Sequence, residues 1–243
     1  MCLIIAQPSG LSPVPDKYLR TAWERNKDGA GIMYCEGGRL IIEKRFGKLK
    51  VLIAAYQAIH RRVGAVSPIV VHFRFATHGT IGAENCHPFA LSGGDVGLAH
   101  NGILAYEPVW NSDESDTAQF CRVVLGNRSA DDLMSDTMRV WLADIIGTGN
   151  KFVLLDRNAR MSIVNESFGL WDDGVWYSNT GYRQFEADSF MREWYSRDAV
   201  SIEAWREEDH GGMPLDEYLQ RELDVANAIE CPSPQWRKKG MGA

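Results

Sequence analysis

Two periodicities alternate along the chain. Residues 2–6 are apolar and largely β-branched, the pattern of a buried strand. Residues 16–25 carry Tyr18, Leu19, Ala22 and Trp23 at helical spacing. Two strands are expected next, Gly31 to Cys35 and Arg39 to Arg45, with Gly37-Gly38 as the hairpin turn between them. Leu49, Leu52, Tyr56 and Ile59 form a helical stripe over 48–62. Pro68 then introduces a strand, Ile69 to Phe75. Residues 76–95, rich in Gly and broken by Pro88, read as a loop, and Val96 to Ala99 reads as a short strand. A helix is expected from Asp113–Asp116 through Phe120 and Val124, and a single further helix over 130–146. Strands resume at 151–155, 161–164 and 175–177. Strands, then two helices, then strands again predict an α+β fold rather than an alternating parallel one.

The charge pattern shifts near Tyr182. Residues 1–182 hold 18 basic against 19 acidic side chains, and residues 183–243 hold 8 against 13. The second stretch reads as an acidic helical extension, with helices at about 186–196 and 214–230. Over the 243 residues the net charge is −6, which argues against direct nucleic-acid binding or an anionic membrane surface. No apolar run reaches the roughly 18 residues of a membrane span, and the opening Met1 to Ala6 lacks the basic leader of a signal peptide. The five cysteines form no CxxC pair, so reduced thiols in a cytoplasmic protein are expected. Trp23, Trp141, Trp171 and Trp176 are expected in the core.

Four short segments carry candidate chemistry. Loss of Met1 is favoured before a small residue such as Cys2, and would set an α-amine beside a thiol. The amine, with a pKa of about 7.7–8.0, can take the thiol proton, so one residue can be both nucleophile and base; the plainer reading is a buried strand cysteine. Arg74 needs an anion to justify its burial, either a structural carboxylate or a ligand's, and Thr77 and His78 stand close enough in sequence to help bind one. In His100-Asn101-Gly102 a side-chain amide and a backbone N–H can converge as an oxyanion hole, although Asn-Gly is also a common tight turn. Asp116 belongs either to N-cap chemistry or to a site for a substrate ammonium. His72, His78, His87 and His100 with Cys86 match no usual metal-ligand spacing, and no metal is expected.

Taken in order, Cys2, Asp28-Gly29-Ala30-Gly31, His72 to Gly79, Asn85-Cys86-His87-Pro88-Phe89, His100-Asn101-Gly102 and Ser115-Asp116-Thr117 resemble the glutaminase domains of class II glutamine amidotransferases. The resemblance covers about residues 2–182. It implies the four-layer αββα sandwich of N-terminal-nucleophile hydrolases, with no cofactor and no catalytic metal. It also implies Cys2 as nucleophile and base, Asn101 and Gly102 as the oxyanion hole, and Arg74, Thr77 and His78 as binders of the glutamine α-carboxylate. Asp116 is implied as the binder of the α-ammonium, and the Phe75 carbonyl as a contact to the side-chain amide. Leu3 stands where the family often has glycine, and Phe75 where many members have tryptophan. The roughly 60 residues after the domain are too few for an attached synthase, so a separate ammonia-accepting enzyme is the expected partner. The same clamp would fit γ-glutamyl peptides, and a silent binding module would keep the fold without the chemistry.

Overall fold

The computed structural model describes residues 2–44, 47–76, 79–104 and 113–183, all within one compact unit, Met1–Gln184. The helices expected at 186–196 and 214–230 lie outside the described residues.

Among the described residues, ten strands form two antiparallel sheets. The first holds β1 (Leu3–Gln7), β2 (Ala30–Glu36), β3 (Arg39–Lys44), β4 (Ile69–Phe73), β9 (Leu170–Asp172) and β10 (Val175–Tyr177), in the order β3-β2-β4-β1-β10-β9. The second holds β5 (Phe89–Leu91), β6 (Val96–Asn101), β7 (Lys151–Asp156) and β8 (Met161–Val164), in that order. Side chains that alternate along β1 and β4 serve two different cores, as the pleat requires. Leu3, Ile5, Ile69, Val71 and Phe73 pack with Leu19, Leu52, Tyr56 and Ile59 of helices α1 (Asp16–Arg25) and α2 (Leu49–Val63). Ile4, Ala6 and Val70 instead meet Ala99, Val153, Leu155 and Ile163 of the second sheet. On that sheet's far face Leu98, Phe152 and Leu154 pack with Phe120, Leu133 and Leu142 of helices α3 (Asp116–Phe120), α4 (Ala130–Leu133) and α5 (Asp136–Ile146). Three apolar cores between four layers make an αββα stack, the α+β sandwich expected.

Three local expectations need correction, and one strand goes unpredicted. Part of the 76–95 loop is strand β5, whose Phe89 and Leu91 are buried while Ala90 is exposed; three alternating residues are too few to stand out between Pro88 and Gly93. The helix expected over 130–146 is two, because the Ser135 hydroxyl accepts from Met138 N (3.1 Å) and starts a new helix directly after α4. Strand β9 lacked any readable pattern, since Leu170 and Trp171 are exposed. Trp176 is fully buried and Trp23 packs against the first core, but Trp141 and Trp171 lie outside the cores. The Arg128 guanidinium covers the Trp141 ring, and the Trp171 indole donates to Glu166, so each finds a polar partner at the surface.

Candidate active site

The register of β1 against β4 fixes the site. Leu3 stands opposite Phe73, so the residue leaving β1, Cys2, meets the residues leaving β4, Arg74 and Phe75. Backbone bonds from Arg74 N to Gly29 O (2.8 Å) and Asp28 N to Arg74 O (3.1 Å) carry the ladder one step past the strand. The Asp28 carboxylate then accepts from Ala76 N (2.7 Å), pinning this turn. The Cys2 sulfur sits between both polar atoms of Phe75, 3.3 Å from its N–H and 3.4 Å from its carbonyl oxygen. Burial pushes the thiol pKa up, opposed by the Phe75 N–H and by the positive charges of the amino terminus and Arg74. A neutral thiol is therefore the resting form near pH 7, and a base is needed to make it nucleophilic.

Asn101, the last residue of β6, reaches across from the second sheet and donates to the Cys2 carbonyl at 2.6 Å. Asn179 donates to the same oxygen at 2.8 Å. Gly102 follows with a φ of +144°, a conformation that side-chain-bearing residues rarely adopt. A Cβ there would also collide with the Asn150 side chain.

Cys2, Arg74, Phe75, Gly102 and Asp116 line one small cleft. Arg74 is buried, and its guanidinium donates to the Thr80 carbonyl at 3.1 Å. Asp116 opens α3 directly after the N-cap Ser115, whose hydroxyl accepts from Ala118 N at 3.2 Å. The cap is therefore Ser115, and the Asp116 carboxylate turns inward, accepting from Leu104 N (2.9 Å) and Thr117 N (2.7 Å). Of the sequence-derived set, Cys2, Arg74, Phe75, Asn101, Gly102 and Asp116 come together. Thr77 and His78 lie outside the described residues.

Other residues of the site had no assigned role in the sequence. Asn179 and Asn150 stand in stretches without a chemical pattern. Asn85 and His87 belong to a motif already noted, yet nothing local says that they line the cleft. His87 and His100 line the cleft, and the His72 ring packs 4.2 Å from that of His87. His72 Nε2 faces the His100 carbonyl at 2.9 Å, while His72 Nδ1 and both His87 nitrogens meet no partner among the described residues. Burial holds all three imidazoles neutral: His72 falls to about 3, His87 lies well below its ordinary value, and His100 is lowered although the Asp116 charge pulls the other way.

An αββα stack with a cysteine at the mouth of its first strand, facing an amide donor from the second sheet, has the architecture of an N-terminal-nucleophile hydrolase. The family model described as "Glutamine amidotransferases class-II" matches residues 19–156, more than half of the chain, and the chain belongs to that family. It is similar to the isomerizing glutamine–fructose-6-phosphate aminotransferase of Aquifex aeolicus (32% identity, covering 44% of this chain and 19% of that protein). The corresponding protein of Shewanella oneidensis is 27% identical, covering 65% of this chain and 28% of its own length. The chain thus spans less than a third of either relative. Among solved structures it is similar to the glutamine phosphoribosylpyrophosphate amidotransferase from B. subtilis, with a TM-score of 0.45, 17% identity, and coverage of 73% of this chain and 41% of that one. No helix among the described residues is long and apolar enough to cross a membrane.

Proposed function

We propose that the domain over residues 2–182 hydrolyses the side-chain amide of glutamine and releases ammonia for a separate acceptor enzyme. One observation carries this reading: the Cys2 sulfur opens into the same cleft as a buried guanidinium and an inward-turned carboxylate. Those two charges match the α-carboxylate and α-ammonium of a free amino acid. Arg74, with Thr77 and His78, grips the carboxylate in two places, as a planar guanidinium does best. Asp116 takes the ammonium.

Removal of Met1 frees the Cys2 α-amine, which accepts the thiol proton. The thiolate attacks the amide carbon, and the oxyanion is held by the second N–H of the Asn101 amide and the backbone N–H of Gly102. Collapse breaks the C–N bond, the proton passes from the α-ammonium to the departing ammonia, and a glutamyl thioester remains. Water then hydrolyses the thioester to glutamate, regenerating the thiol. Phe75 holds the sulfur in line, and its carbonyl is placed to contact the substrate amide.

The test is ammonia release from glutamine by the purified chain, with intact mass measured on the same sample. Loss of the Met1 mass together with glutamine turnover that Cys2→Ala abolishes is the expected result. Turnover that survives Cys2→Ala, or a retained Met1 in an active protein, would overturn the mechanism. Faster cleavage of γ-glutamyl dipeptides than of glutamine would move the substrate class instead.

A further inference from the structure

Asn150 is buried at the turn between α5 and β7, where its side chain lies against Gly102. Its amide orientation is fixed: Nδ2 donates to the Ile146 carbonyl (2.6 Å), so Oδ1 is the atom that faces His100 Nε2 at 2.9 Å. Asn165 holds the turn by donating to the Asn150 backbone carbonyl at 2.8 Å. A carbonyl oxygen only accepts, so His100 must carry its proton on Nε2. Its Nδ1 is then a bare lone pair, and the partner at 2.7 Å is the Thr117 hydroxyl, which must donate to it. The Thr117 hydroxyl also lies 3.2 Å from Asp116 Oδ1, but its one proton is spent on His100. Asp116 Oδ1, which accepts from the Thr117 backbone N–H (2.7 Å), therefore keeps its second lone pair.

We infer that Asn150 is a positioning residue which, by locking the His100 tautomer, keeps the Asp116 carboxylate open to the ammonium of an α-amino-acid substrate. Without the Asn150 acceptor, His100 can move its proton to Nδ1 and donate to Thr117. The hydroxyl then turns onto Asp116 Oδ1 and competes with the ligand. The inference rests on the glutamine reading above, and the substrate pair that tests it separates the two.

Glutaramate is glutamine without its α-ammonium. In Asn150→Leu, kcat/KM for glutamine is expected to fall roughly tenfold further than that for glutaramate, the worth of about one hydrogen bond; any disturbance of the adjacent Gly102 falls on both substrates alike. A Thr117→Val background removes the hydroxyl that turns, so Asn150→Leu added there should leave the glutamine-to-glutaramate ratio where Thr117→Val put it. Equal losses on both substrates, or the same drop in ratio with and without Thr117, would reduce Asn150 to a scaffold residue. Imidazole 15N shifts of the wild-type protein give an arm that needs no variant to fold: Nε2–H at His100 is expected, and Nδ1–H would overturn the inference. Should the wild type release no ammonia from glutamine, the functional reading fails, and the His100 tautomer still decides whether the lock exists.

Discussion

Acidification should unfold this protein earlier than its carboxylates alone would require, because three imidazoles are buried in their neutral form. His72 is the best-defined case. Its folded value is about 3, against about 6.5 in an unfolded chain. Below about pH 6.5 the unfolded chain binds a proton that the folded protein refuses, so stability falls as pH falls. At about pH 5 the imbalance amounts to roughly 1.5 pH units, or ~2 kcal/mol from His72 alone. His87 and His100 shift in the same direction, since burial opposes their charged forms as well. Each adds a slope approaching ~1.4 kcal/mol per pH unit over the part of the window where only the unfolded state is protonated. Against a total stability of about 5–15 kcal/mol this is a large fraction. Urea unfolding followed by tryptophan fluorescence at a series of pH values between about 7.5 and 5 measures it. More than one proton should be taken up on unfolding in that window, and His72→Gln should remove close to one. A stability that stays flat down to about pH 5, or a slope indifferent to His72→Gln, would refute a neutral imidazole cluster.

Asn101→Ala should lower the rate of glutamine hydrolysis roughly 100- to 1000-fold, as loss of an oxyanion donor does; steady-state ammonia release checks it. Gly31→Ala should destabilise by ~1–3 kcal/mol, since a Cβ there drives into the His87 carbonyl and the Pro88 ring, and backbone gives way poorly. A shift in the urea midpoint at constant slope is the readout. Ser135→Ala should cost about 1 kcal/mol by uncapping α5, seen as a lower Tm.

Much of this architecture was legible because burial leaves a period behind. Strands β1 and β4 are apolar at consecutive positions, and the stripe Leu49, Leu52, Tyr56, Ile59 gives α2 nearly to the residue. The failures occurred where an element is short or a local hydrogen bond outbids the period. Strands β5 and β9 have three residues each, and Ser135 restarts a helix that hydrophobic spacing alone would run through. The site divides in the same way. Cys2, Arg74, Asn101 and Asp116 announce themselves through charge, nucleophilicity or a neighbouring glycine. Asn150, Asn179 and His87 do not, because their roles come from partners 50, 177 or 15 residues away in the chain, such as His100 for Asn150 and Cys2 for Asn179. No window on the sequence contains both ends of those contacts.

The pairing of β1 between β4 and β10 has a consequence for how the protein fails. The sulfur is one residue off a strand gripped on both flanks and pressed between two cores, so it has no hinge of its own. Active sites mounted on loops can soften and lose turnover well before the rest melts. Here the nucleophile inherits the rigidity of the innermost strand, so heat inactivation should coincide with global melting, and whatever loosens the middle of the first sheet should silence the cysteine without touching it.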